Sequence, residues 1–191
     1  MRFAKALFAL SLIVQSVQPV AAADVPRKSP EFAVLMPNGG QLLLSNYRGK
    51  VVCLHFIFTT CPHCQAEARV MTQLYAQYGA KGFQPIAVAF NEGAASLVPE
   101  FVKSIGVTYP VGYAPRESVL NYLQLGNDAR LSVPQIVFID RKGMIRQQSL
   151  PADDAVTSSE ANVRAMVDKL VQEPASGGSA KKPTTVAKKS N

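Results

Sequence analysis

Apolar residues run almost unbroken through "GKVVCLHFIF" once Gly49 is passed, and most of them are β-branched or aromatic. A run with no polar face is a strand buried on both sides of a sheet, so this segment is predicted to be central. The period then changes. Val70, Met71, Leu74, Tyr75 and Tyr78 recur at helical spacing, with Gly79 closing the segment, which predicts a helix from Pro62 to Tyr78. Pro62 suits its first position because the missing N–H would have had no partner there, and Cys61 is then the N-cap. Further on, "FQPIAVAF" reads as a second buried strand, and "SLVPEFVKSIG" and "RESVLNYLQLG" as short helices, each stopped by glycine. The stretch "QIVFIDRKGMIRQQSL" reads as a hairpin turning at Asp140-Arg141-Lys142-Gly143. Last comes an amphipathic helix, in which Thr157 and Glu160 are expected to form a capping box ahead of Val163, Met166, Val167 and Leu170. Alternating strands and helices, closed by a hairpin and a helix, predict an α/β protein with a three-layer α/β/α sandwich around a mixed central sheet.

Both ends differ from this pattern. The opening "MRFAKALFALSLIVQSVQPVAAAD" places Arg2 and Lys5 before an apolar stretch and ends it with Ala21-Ala22-Ala23, the layout of a secretory signal peptide over 1–23. Gln15, Ser16, Gln18 and Pro19 interrupt the apolar run before it reaches the roughly 20 residues that a spanning helix needs, so no membrane span is expected after cleavage. The end, 174–191, is rich in Ser, Gly, Pro, Ala and Lys without apolar period and reads as a solvated basic tail. Of the formal net charge of +7, the leader holds two cations and the tail four, which leaves +1 for 24–173. A nearly neutral folded part, with no aromatics interleaved among the basic residues, argues against a nucleic-acid partner. The stretch 24–173 is long enough for one domain with its own core, expected to be a monomer.

Three cysteines are too few for a disulfide scaffold, so the pair in "FTTCPHCQAE" calls for its own explanation. In an exported protein the close pair Cys61 and Cys64 reads as a redox couple. Cys61, at the helix N-terminus, has unpaired backbone N–H groups and the positive end of the dipole aimed at its sulfur, which favours the thiolate and makes it the nucleophile. Cys64 lies one turn into the helix on the same side, is expected to be less exposed, and suits a resolving thiol. A copper-carrying protein is the rival binding reading. The chain offers only Cys53, His55, Cys61, His63 and Cys64 as thiol or imidazole ligands, with no second C-x-x-C, so no metal and no organic cofactor is expected.

The stretch "GGQLLLSNYRGKVVCLHFIFTTCPHCQAEARVMTQLYAQY" resembles the opening of thioredoxin-fold thiol:disulfide oxidoreductases of the TlpA/ResA-like redoxin group, relatives of the AhpC/TSA proteins, and "LSVPQIVFID" resembles their later cis-proline loop. The resemblance covers roughly Pro30 to Val171. It implies a thioredoxin-like fold in which Cys61 attacks, Cys64 resolves, Pro134 is a cis-proline and the Val133 backbone pairs with bound substrate. The partners it implies are protein thiol or disulfide clients and an upstream redox protein. Two departures matter. Thr60 stands where many relatives have tryptophan, and Pro62-His63 is the dipeptide associated with DsbA-type oxidants, which leaves the direction of electron flow open.

Glu67 completes a C-x-x-C-x-x-E arrangement that resembles ResA-like proteins in which the acid sits near the site and serves proton transfer; the competing reading is a solvated, dipole-friendly first-turn glutamate. His55 falls six before Cys61, where thioredoxins proper have a buried acid, and is either a proton-transfer group for the resolving thiol or a hydrogen-bonded core histidine. His63, in the first helical turn, either supports the Cys61 thiolate or points into water. Cys53, on the strand face of His55, reads as an inert buried thiol. A peroxiredoxin-like thiol peroxidase is the runner-up enzyme, but the signature of that group asks for proline at Leu54 and a hydroxyl at Phe58.

Overall fold

The computed structural model describes residues 23–149 and 159–174. Eight strands form one mixed sheet: β1 Arg27–Lys28, β2 Ala33–Leu35, β3 Gln41–Leu43, β4 Val51–Ile57, β5 Phe83–Ala89, β6 Val111–Tyr113, β7 Gln135–Ile139 and β8 Met144–Gln148. Their order is β1-β8-β7-β4-β5-β6-β2-β3. The four helices are α1 Pro62–Tyr78, α2 Ala94–Ile105, α3 Arg116–Leu123 and α4 Glu160–Gln172.

Every residue of β4 and β5 is buried, as their unbroken apolar runs require. β4 runs parallel to β5, with Val51 opposite Phe83 and Ile57 opposite Ala89, and antiparallel to β7. Side chains alternate across the sheet. Cys53 and Ile57 face the core shared with α1, α2 and α4, whereas Val52, Leu54 and Phe56 face the core closed by α3, Phe32 and Val34. The result is the expected three-layer, thioredoxin-like sandwich. Pro85 is tolerated inside β5 because odd-numbered N–H groups point toward β6, as Ala87 N does to Pro110 O at 3.0 Å, and β6 pairs only from Ala87 onward.

Helix ends differ from the sequence reading in three places. α1 does stop at Tyr78, but Gly79 is right-handed and the chain continues as a 3-10 turn to Gly82, whose φ of 90° makes the reversal. α2 ends on Gly106 at φ 75°, yet α3 ends on Gln124 at φ 58°, not on glycine. There Leu125 N donates to Leu120 O at 2.9 Å, and Leu125 is buried, so a tertiary contact holds a non-glycine residue in the left-handed region. α4 is capped by Ser159, whose side chain accepts from Asn162 N, so Glu160 is the first helical residue and not the acid of a capping box. Thr157, residues 1–22 of the expected leader 1–23, and the tail beyond 174 lie outside the described residues. Among those described, no helix is long and apolar enough to cross a membrane.

Candidate active site

β4 ends at Ile57 and α1 begins at Pro62, so the connecting residues are Phe58, Thr59, Thr60 and Cys61. They are tied down on several sides. Cys61 N donates to Phe58 O at 3.1 Å, and Gln65 N donates to Cys61 O at 3.0 Å. Thr59 N donates to Asn91 Oδ1 at 2.9 Å, and Gln65 Nε2 donates to Thr59 O at 3.1 Å. Cys61 is the N-cap of α1 with extended backbone, half-buried, and its Sγ lies 3.8 Å from the Val133 carbonyl oxygen as donor. The Val133–Pro134 peptide is cis. Topology explains the meeting: β7 lies beside β4, so the loop entering β7 comes level with the loop leaving β4.

Cys64, one turn further, is fully buried while Cys61 is not, and all three cysteines are free thiols. Burial pushes the Cys64 thiol far up; the Cys61 thiol and the Glu67 carboxyl act in the same direction, and the Phe58 backbone opposes them. Glu67 is 6% exposed, so it is not the solvated glutamate of one reading. Its electrostatic influence reaches Cys53, Cys64 and Tyr109, which marks these as one buried group of side chains. Cys53 is fully buried and its thiol is pushed up by desolvation first and Glu67 second, as an inert thiol would be.

His55 is also fully buried, its ring 5.5 Å from that of Tyr109. Neither ring nitrogen has a hydrogen-bond partner among the described residues. Desolvation lowers its pKa to about 3, so the ring is neutral at physiological pH. His63 is exposed. The structure therefore gathers Cys61, Cys64, Val133 and Pro134 at one end of the sheet and puts Glu67 and His55 in the core with Cys64, on the face of α1.

Asn91, Gln65 and Tyr109 join the site without having been singled out in sequence. A signal existed for Asn91: loops at the carboxyl ends of adjacent parallel strands converge, and Asn91 leaves β5 where Phe58 leaves β4. Tyr109 lies in a loop more than forty positions from the cysteines, and only the sheet order brings it near.

The AhpC/TSA family matches residues 25–148. The thiol-disulfide oxidoreductase ResA of Geobacillus kaustophilus is 32% identical over 126 residues, which are 66% of this chain and 69% of that protein. The protein of the same name from Geobacillus thermodenitrificans is 32% identical over 127 residues, with the same two shares of 66% and 69%. Among solved structures, a thiol:disulfide interchange protein of the thioredoxin family from Chlorobium tepidum superposes with a TM-score of 0.64, covering 78% of this chain and 99% of its own at 23% identity. That last likeness is one of fold.

Proposed function

We propose, starting from the fact that this chain belongs to the AhpC/TSA family, that it is a thiol:disulfide oxidoreductase working through Cys61 and Cys64 on protein clients. One observation carries the reading: a half-exposed cysteine caps α1 beside the cis-proline loop, with a second, buried cysteine one turn behind it.

In the reducing direction, the Cys61 thiolate attacks one sulfur of a client disulfide. A mixed disulfide forms and the other client sulfur leaves as thiolate. Cys64 then attacks Cys61 Sγ, the Cys61–Cys64 disulfide forms, and the second client sulfur leaves; two electrons have moved from the cysteine pair to the client. The oxidising direction is the same path reversed. Since burial keeps Cys64 protonated, its proton must leave as it attacks. His55, with its pKa lowered to about 3 by burial, is a weak base at neutral pH, so the acceptor in this reading is Glu67, the buried carboxyl whose charge acts on Cys64. The Val133 backbone beside Cys61 supplies a strand edge on which an extended client can pair. His63, exposed in the first turn of α1, adds an imidazole N–H at the thiolate end of the helix and favours the reduced couple, which makes the pair more oxidising.

The leader-like opening supports export, and the basic tail supports a solvated extension that is not part of the domain. Peroxide reduction is disfavoured by the residues themselves. Leu54 is a buried core residue, and Phe58 packs on Phe90 at 4.7 Å between ring centroids.

Insulin reduction tests the assignment. Cys61→Ser should lose turnover, and Cys64→Ser should accumulate mixed disulfides with clients. Wild-type turnover in both single variants would refute it.

A further inference from the structure

We propose that Asn91 is a positioning residue for the attacking thiol, holding the Phe58–Cys61 turn in register by replacing a missing rung of the β4–β5 ladder with its side chain. The proposal rests on Cys61 being that thiol. Regular parallel pairing between the two strands continues to Phe90 N, which donates to Ile57 O at 3.1 Å. In a parallel ladder the next rung would run from Thr59 N to a backbone carbonyl of the neighbouring strand. Here the rung ends on Asn91 Oδ1 at 2.9 Å. The same oxygen also accepts from Thr59 Oγ1 at 3.3 Å.

The amide is itself oriented. Asn91 Nδ2 donates to Glu92 O at 3.0 Å, which fixes which end of the side chain faces Thr59, and Asn91 O accepts from Ala94 N at 3.1 Å as α2 begins. From the other side Gln65, in the second turn of α1, donates to Thr59 O at 3.1 Å. Thr59 is 6% exposed, so its N–H, hydroxyl and carbonyl would each be costly to leave without a partner. All three are taken up by two side chains, Asn91 from the loop between β5 and α2 and Gln65 from α1. Two residues later the chain must deliver Cys61 at the N-cap with its sulfur toward Val133 O, and a turn free to shift would move the sulfur relative to both the helix end and the client strand.

The test uses the full chain with oxidised glutathione as the probe. Asn91→Ala should speed amide hydrogen exchange at Thr59 while leaving exchange at Ile57 and Phe90 slow. It should also lower the second-order rate of Cys61 with oxidised glutathione by about tenfold, the worth of one hydrogen bond. The equilibrium with glutathione should move several-fold toward the protein disulfide. Ser96→Ala, which removes a hydrogen bond to Gly93 O in the same loop without touching Thr59, should change none of these. Faster exchange at Thr59 with an unchanged rate and equilibrium would make Asn91 a purely structural residue and overturn the proposal. If Asn91→Ala does not fold, Asn91→Ser, which cannot reach Thr59, carries the same expectations. A wild type inert to oxidised glutathione would instead refute the assignment of Cys61 itself.

Discussion

Burial of Cys64, the resolving thiol of the proposed mechanism, sets the chemistry at the residue scale. Cys64 is held as thiol by its surroundings, so resolution of the mixed disulfide is the step that needs a base, and Glu67 is the buried carboxyl whose charge it feels. Glu67→Gln should lengthen the lifetime of the mixed disulfide by about a hundredfold, the low end of what a positioned base supplies, and leave the initial attack by Cys61 unchanged. Quenched-flow trapping of the two steps checks both halves. His55 makes a separate prediction about stability. Its folded pKa, about 3, is depressed below the ordinary 6.5, so the unfolded chain takes up the proton first and stability falls as pH drops below about 6.5, continuing toward 3. At pH 5 the loss should be about 2 kcal/mol relative to pH 7.5. The chain's other histidine, His63, is exposed, so His55→Leu should flatten this part of the urea-denaturation profile against pH.

At the scale of elements, the long ones were readable because each carries its own period. β4, β5, α1 and the β7–β8 hairpin follow from runs, helical spacing and the Asp140–Gly143 turn. In that turn Asp140 Oδ1 accepts from Lys142 N and Met144 N, and Gly143 has φ 79°. Strands β1, β2, β3 and β6 are two or three residues each, too short for alternation to register, and their place in the sheet comes from neighbours far along the chain. Gly112 shows what such a strand demands. A Cβ there would collide with the Leu35 carbonyl oxygen and Val34 Cγ1, where β2 crosses close to β6. Gly112→Ala should therefore lower stability by about 1–3 kcal/mol, read as a fall in the urea midpoint, because backbone has to move to admit one methyl group. The end of α3 departs from its local sequence pattern for a related reason: Gln124 takes a left-handed conformation because Leu125 must enter the core, a demand invisible in local sequence.

For the whole molecule, the spacing of Cys61 and Cys64 and the loop at Pro134 could be recognised in one dimension, but their meeting depends on the sheet order that sets β7 beside β4. Glu67 and His55 could be named once their spacing from the cysteines was matched to the family resemblance. Their burial could not, since it arises where α1 packs over the sheet at β5, beside β4, and the loop bearing Tyr109 closes the side. The central claim is that Cys61 and Cys64 form one two-electron couple, and equilibration of the full chain in glutathione buffers tests it most directly. Poise should be stepped from about −120 to about −270 mV, free thiols trapped with a maleimide and the products weighed by mass. A single transition in which Cys61 and Cys64 gain their thiols together as the buffer becomes more reducing, Cys53 stays reduced throughout, and Cys61→Ser abolishes the step is the predicted result. Separate glutathione adducts on the two cysteines, or both thiols unchanged across the whole range, would contradict it.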